Sequence, residues 1–130
     1  MNTRTIHIAL AMVTTTSMLA LAGPAQAKGD DDVERRGSCT GATDWKVKVG
    51  PEDGGLEVEG EIDSNRTGQR WRWQLVHNGS RSGIHTRITR GPSGSFEVRQ
   101  ALADKPGTGV ITLRATNRRS GERCVGRVRF

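Results

Sequence analysis

From Asp44 to the C-terminus, the chain consists of short runs in which apolar and polar residues alternate, and each run ends at a cluster of Gly, Pro, Asn or Asp. Strict alternation is the pattern of a strand with one buried face. The clearest run covers residues 70–76, where Trp71, Trp73 and Leu75 fall on one side and two arginines and a glutamine on the other. His77, Asn78 and Gly79 then predict a turn.

Seven such runs are present, at residues 45–49, 56–62, 70–76, 84–89, 96–99, 111–115 and 124–130. They predict an all-β fold, a two-sheet antiparallel β-sandwich of about seven strands that is immunoglobulin-like or fibronectin III-like. The aromatic residues fall on the apolar side of their runs, and we expect them to form the structural core: Trp45, Trp71, Trp73, Phe96 and Phe130.

The alternation also predicts the orientation and pairing of two runs. In residues 84–89, Ile84 and Ile88 share a side that is expected to face the core, opposite His85 and Arg87. Runs 56–62 and 70–76 are close in sequence and are expected to pair. Three glutamates of the first run would then face two arginines of the second, which fixes their register.

The N-terminal residues have the pattern of a signal peptide. A single arginine precedes an apolar run from Ile8 to Ala22, and the small residues Ala25 and Ala27 predict cleavage after Ala27. We therefore expect residues 1–27 to be a signal peptide, 28–38 a disordered polar leader and 39–130 the β-sandwich domain. No second apolar stretch follows, so we expect a soluble secreted product without a transmembrane segment.

The two cysteines, Cys39 and Cys124, lie near the two ends of the predicted domain. In an exported protein this placement favours a disulfide bond. The alternative, a redox or metal-binding thiol, lacks any Cys-x-x-Cys spacing.

Several short segments define a resemblance. They are Asp-Trp-Lys-Val-Lys-Val at 44–49, Leu-Glu-Val-Glu-Gly-Glu-Ile-Asp at 56–63, Trp-Arg-Trp at 71–73, His-Asn-Gly at 77–79 and a late cysteine. With the signal peptide, this set resembles small secreted proteins of unknown function from high-GC Gram-positive bacteria. In strand count it is also similar to fibronectin type III and immunoglobulin-like domains, although there is no tyrosine for a tyrosine corner and the cysteines lie near the ends. The resemblance assigns no functional residue.

The residues that carry chemistry in enzymes are few. His77 and His85 are the only imidazoles after the signal peptide, and the serines around Gly94 do not form the Gly-x-Ser-x-Gly nucleophile turn. Residues 63–68 partly match a calcium loop but have Gln74 where the bidentate glutamate belongs, so an Asx-type loop is the better interpretation. We therefore predict no catalytic residue, no metal site and no cofactor, and expect that the protein is not an enzyme.

Charge is the remaining signal. Residues 28–63 carry a net charge of −6 and residues 64–130 a net charge of +11. Arginines of the later strands are candidates for binding an anionic partner, which in an exported protein is a cell-envelope polymer or lipid head groups. The four main candidates are Arg87, Arg114, Arg127 and Arg129.

Other interpretations of this charge and of the loops stay open. The arginines could serve solubility alone, and sequence-specific nucleic-acid binding is not expected because the aromatics are assigned to the core. The first hypothesis is a monomeric, non-catalytic extracellular binding module. The alternative is a secreted hydrolase inhibitor that presents the loop at 63–69 or the loop at 78–83. A small-ligand carrier would require Trp71 or Trp73 to be exposed between the sheets.

Overall fold

The computed structural model describes residues 31–103 and 109–130, and the predicted signal peptide lies outside these ranges. The two ranges contain nine β-strands and no helix, so neither range has a helix that could cross a membrane. The strands are β1 (Val33–Ser38), β2 (Asp44–Glu52), β3 (Gly55–Asp63), β4 (Arg70–His77), β5 (Ser80–Arg81), β6 (His85–Ile88), β7 (Ser95–Leu102), β8 (Val110–Asn117) and β9 (Arg123–Arg129).

The strands form two antiparallel sheets that pack face to face, which confirms the predicted all-β sandwich. Sheet A has the order β1-β2-β3-β7, and sheet B has the order β5-β4-β8-β9, with β6 paired to β4. All seven predicted strands are present, and β1 and β5 are additional. The predicted turn at 77–79 joins β4 to β5, with Asn78 and Gly79 both at positive φ, as the tightest hairpins require.

The core lies between the sheets, where the alternating apolar residues meet. Trp71, Trp73 and Phe96 are buried in it, and Trp45 and Phe130 are partly buried and pack against it. The indole N–H of Trp71 donates a hydrogen bond to the Gln69 side chain at 3.3 Å. Burial of both tryptophans of β4 removes the basis for a carrier with an exposed tryptophan between the sheets.

Cys39 and Cys124 form the predicted disulfide, which joins residues 85 positions apart. Cys39 follows β1 in sheet A, and Cys124 lies in β9 of sheet B. The bond therefore links the two sheets near both ends of the described chain. Beside it, the backbone N–H and hydroxyl of Thr43 both donate to the carboxylate of Glu122, a second connection between the same two regions.

The predicted disordered leader requires a correction, because its second half forms β1. Val33–Ser38 pairs in antiparallel register with β2, and Asp32 forms an ion pair with Lys48. The segment has a single apolar residue, which led to the prediction of disorder. Its order instead comes from main-chain hydrogen bonds to an existing strand and from opposite charges, which apolar content does not measure.

The predicted pairing of runs 56–62 and 70–76 is wrong. The first run is β3, which pairs with β2 and β7 in sheet A, whereas the second is β4 in sheet B. The six-residue connection at 64–69, together with Asp63 at the end of β3, crosses from one sheet to the other instead of closing a hairpin. It does contain the predicted Asx turn, because the Asn65 N–H donates to the Asp63 side chain at 3.1 Å.

The predicted orientation of run 84–89 is also wrong. All four residues of β6 are exposed, and Ile84, just before β6, is exposed too. Strand β6 is at the edge of sheet B, where aliphatic residues can be exposed to solvent. Their positions therefore do not show which side of the strand faces the core. The buried residue here is Thr89, whose hydroxyl donates to the Arg66 carbonyl at 2.5 Å and accepts from the Gln69 N–H at 2.9 Å.

Candidate functional site

The outer surface of sheet B carries a set of arginines from three adjacent strands. Alternate residues of β4, β8 and β9 point inward and form the core, and most of the residues between them point to solvent, with Thr112 of β8 as a buried exception. None of these three strands contains Asp or Glu. We call the exposed set the arginine face, and it comprises Arg70, Arg72, Arg114, Arg123, Arg127 and Arg129.

The strand register places Arg114 at the centre of this face. Its direct neighbours across the sheet are Gln74 on β4 and Val125 on β9. Arg72, Arg123 and Arg127 are two residues from those neighbours, so they are diagonal to Arg114, at a typical separation of about 7–8 Å. The arrangement spreads the charges over the face without placing two guanidiniums directly opposite each other on these strands.

The six guanidiniums form no ion pair with any residue in the described ranges. The outer face of sheet A is different, because it carries charges of both signs and several of them are paired with each other. Lys46 lies 2.8 Å from Glu61, and Arg99 lies 3.4 Å from Glu59. Half of the ten described acidic residues at 31–63 are in ion pairs of this kind: Asp32, Glu34, Glu57, Glu59 and Glu61. The arginines of sheet B have no such partner in the described ranges and remain available to a binding partner.

Lys48 shows the effect of this pairing. Its ammonium lies 3.1 Å from Asp32 and 3.9 Å from Glu59. The hydrogen bond to Asp32 raises the pKa of Lys48 above its usual 10.5, and the charge of Glu59 adds to this effect while burial opposes it.

Apolar side chains are also exposed on the outer surface of sheet B. Ile84, Ile88 and Val125 are the exposed large hydrophobic residues of the described chain, at 56%, 41% and 53%. Ile88 is in register with Arg70 and Val125 with Arg114, so both are on the outward side. Ile84 borders a groove on the same surface. Apolar residues therefore flank the arginine face on β6 and β9.

This groove is a depression beside Arg114 on the arginine face. It has a volume of about 430 Å³ and is lined by Arg72, Gln74, Ile84, Arg114 and Arg118, among others. Three guanidiniums and an amide around one shallow groove suit a phosphate or carboxylate group, because the planar arginine fork binds such oxygens in pairs.

The structure brings together three of the four arginines predicted to bind an anionic partner. Arg114, Arg127 and Arg129 lie on the arginine face, but Arg87 does not. Arg87 is in register with the buried Trp71 and so points to the other side of β6, where it lines a separate groove with Arg90 and Phe96.

Three members of the arginine face were not among the main predicted residues. The sequence pattern assigns Arg70 and Arg72 to pairing with the glutamates of β3. Arg123 belongs to the wider set of arginines on the later strands and not to the four main candidates. The sequence does contain a signal for them, since three strands without a single acidic residue contrast with β3, which has four. Such segregation indicates separate sheets.

The two histidines considered as catalytic candidates lie beside aromatic rings. The ring of His85 stacks on Trp73 with centroids 4.8 Å apart, and His77 lies 6.3 Å from Phe130. No cluster of three or more potential metal ligands occurs in residues 31–103 and 109–130. Comparison of the chain with protein-family models, with curated proteins and with solved structures gave no match.

Proposed function

We propose that this protein is an exported, non-catalytic binding module that attaches to a polyanionic component of the cell envelope through its arginine face. The single observation that carries the proposal is the set of six exposed arginines on one surface without an ion pair to a described residue. Charges that only served solubility would gain by being interspersed with acids, as in sheet A. The disulfide supports export, because such bonds persist in oxidising compartments.

An immunoglobulin-like arrangement is part of the proposal. In chain order, β2, β3 and β7 correspond to strands A, B and E, and β4, β8 and β9 to strands C, F and G. Strand β5 lies beside β4, as C′ does in variable-type domains. Domains of this architecture commonly use one sheet face or one set of loops for binding, and the arginine face lies on the C, F and G strands.

The test must separate the arginine face from the net charge, because a basic protein adheres to many anionic matrices. We compare two double variants with the same loss of charge. Arg114→Gln with Arg127→Gln removes charge from the arginine face, and Arg36→Gln with Arg99→Gln removes it from the outer surface of sheet A. Both are assayed for retention on phosphocellulose and on isolated cell-wall sacculi at low and high salt.

We expect salt-sensitive retention of the wild type, a large loss for the Arg114 and Arg127 variant, and near-normal retention of the matched control. Equal losses in both variants would show that only net charge matters and would contradict the proposal. Absence of retention by the wild-type protein on both matrices would also contradict it.

A second candidate function is supported by the loop at 63–69. This loop is tied at both ends: the Ser64 N–H donates to the Gly94 carbonyl at 3.1 Å, and the Gly68 N–H donates to the Thr89 carbonyl at 2.8 Å. A loop held in one conformation is what an inhibitor of a hydrolase requires. In that case, secreted hydrolases would be inhibited at one-to-one stoichiometry, and Arg66→Ala would weaken inhibition while leaving retention on phosphocellulose intact.

A further inference from the structure

The exposed apolar residues around the arginine face add information about what it binds. A soluble polyanion is held by charge and hydrogen bonds, and such binding gives no role to Ile84, Ile88 and Val125. All three exposed large hydrophobic residues of the described chain lie on this one surface. The partner therefore has apolar material directly beside its anionic groups.

A second copy of the chain does not meet this requirement. Two arginine faces brought together by a two-fold axis would set the same guanidiniums against each other and repel. The outer face of sheet A is more acidic, but Glu57, Glu59 and Glu61 are already in ion pairs with bases of their own sheet. Sheet A also has none of the exposed large hydrophobic residues of the described chain, so contact with it would leave Ile84, Ile88 and Val125 without an apolar counterpart.

The shape of the surface also matters. A folded protein or peptide partner usually inserts an anchor side chain into a pocket, and the groove beside Arg114 is shallow and open. The face is instead broad: β6, β4, β8 and β9 span about 15 Å at the usual strand spacing. A membrane surface fits it, because phosphate groups lie in a plane with acyl chains immediately below.

Resting on the proposed function, we propose that the arginine face docks on the surface of a lipid bilayer that contains anionic phospholipids. The guanidiniums bind the lipid phosphates in the head-group layer. Ile84 and Val125, on opposite sides of Arg114, enter the boundary between head groups and acyl chains, and Ile88 contacts the same layer beside Arg70. The long arginine side chains can extend to the phosphates while the sheet lies flat.

The test measures partition of the folded protein onto vesicles of phosphatidylcholine alone and of phosphatidylcholine with phosphatidylglycerol, by cosedimentation. Ile84→Thr with Val125→Thr removes apolar surface, keeps β-branched side chains and leaves every charge in place. Thr116→Val, on the same face between Arg72 and Arg123, adds apolar surface as the reciprocal change. Circular dichroism and thermal unfolding establish that each variant is folded.

We expect binding to the anionic vesicles only. Removing Arg114 and Arg127 should reduce it by about five-fold per arginine. The Ile84 and Val125 variant should bind these vesicles about ten-fold less tightly, and Thr116→Val should bind them more tightly. Neither of these two apolar exchanges should alter retention on phosphocellulose, which has no apolar layer.

The outcomes separate this inference from the function on which it rests. If the apolar exchanges leave vesicle binding unchanged, or if phosphocellulose and sacculi retain the protein but anionic vesicles do not, the bilayer proposal is wrong and a soluble anionic polymer remains. If neither the matrices nor the vesicles bind the wild type, both proposals are wrong.

Discussion

The indole of Trp45 lies between two backbone segments that have no side chain. A Cβ atom at Gly37 would be 2.6 Å from Cζ2 of the indole, and one at Gly126 would be 2.8 Å from Cδ2. Gly37 belongs to β1 in sheet A and Gly126 to β9 in sheet B. The two glycines thus allow one tryptophan to fill the space between the sheets close to the disulfide.

Gly126→Ala should destabilise the protein, because the added methyl group forces the buried part of the indole to move. Overpacking of this kind typically costs about 1–3 kcal/mol. The free energy of unfolding, measured by urea denaturation, should fall by that amount. Gly83→Ala is the control, since its Cβ would meet His85 no closer than 3.5 Å. Equal stability of Gly126→Ala and wild type would argue against this packing.

Lys48 predicts a pH dependence of stability. Its folded-state pKa lies above the usual 10.5, so folding favours the protonated form. The stabilisation is fully present below pH 10.5 and is lost as the pH rises through the higher folded-state value. A partly exposed pair of this kind contributes about 1 kcal/mol or less.

The measurement is the unfolding free energy of wild type, Lys48→Met and Lys48→Arg from neutral to alkaline pH. Wild type should exceed Lys48→Met near neutrality and lose this advantage at alkaline pH, whereas Lys48→Arg should keep it because arginine stays charged. A constant difference between wild type and Lys48→Met across this range would show that the ammonium contributes no pH-dependent stability.

At the level of the strands, the ion pairs of the β3 glutamates show which strands lie beside β3. Glu59 lies between Lys48 on β2 and Arg99 on β7, and Arg72 is in the other sheet. A double-mutant cycle of Glu59→Gln with Arg99→Gln should give a coupling energy of about 0.2–1 kcal/mol. The same cycle with Arg72→Gln should give none. Coupling to Arg72 instead of Arg99 would indicate that β3 pairs with β4.

Alternation and turn residues were sufficient to predict most strands, the two-sheet class, the position of the aromatics and the disulfide. They did not predict which strands pair, because the loop at 63–69 is long enough either to close a hairpin or to cross between sheets. They also failed to predict the orientation of the edge strand β6. Ile84 and Ile88 alternate like core residues, but β6 pairs with β4 in a register that puts Ile88 beside Arg70, on the outward side of sheet B. Because alternation assigns Ile84 and Ile88 to the core, it does not predict the apolar part of the candidate site.

The arginine face shows how pairing determines a site. Arg114, Arg127 and Arg129 were recognisable as outward residues of their own strands, but a surface is formed only when strands are placed side by side. Arg70 and Arg72 belong to the arginine face because β4 pairs with β8. Arg87 does not belong to it, because the register between β6 and β4 places Arg87 opposite the buried Trp71. Alternation within one strand shows on which side of the sheet a residue lies. It does not show which residues of other strands lie beside it.

For the whole molecule, the two outer surfaces differ in electrostatics. Sheet A carries charges of both signs, several of them in ion pairs, and the arginine face of sheet B carries arginines without an ion pair to a described residue. The arginine face is expected to add little stability, since like charges repel. Arg114→Gln should therefore change the unfolding free energy by no more than about 0.5 kcal/mol while weakening binding. Thermal unfolding and phosphocellulose retention of the same preparation test this separation. A large loss of stability would assign Arg114 a structural role instead.

The disulfide should contribute strongly to global stability. Closing a loop of 85 residues restricts the unfolded chain, and the chain-entropy model gives about 4.6 kcal/mol for it. Cys39→Ser with Cys124→Ser should lower the unfolding free energy by about 2–5 kcal/mol. Urea denaturation of this variant and of the oxidised wild type gives the difference. Equal midpoints would show that the bond is strained or redundant.

The same bond decides how the molecule responds to tension. Suppose that one end of the chain is held by the envelope and the other is pulled. Force then passes from Cys39 directly to Cys124, and only the residues before the first and after the second can extend. Seven of the nine strands, β2 to β8, and four of the six arginines of the arginine face lie inside a covalent loop that carries no load. Reduction would release about 290 Å of chain, so an oxidised molecule can stay attached under a pull that would unravel the reduced one.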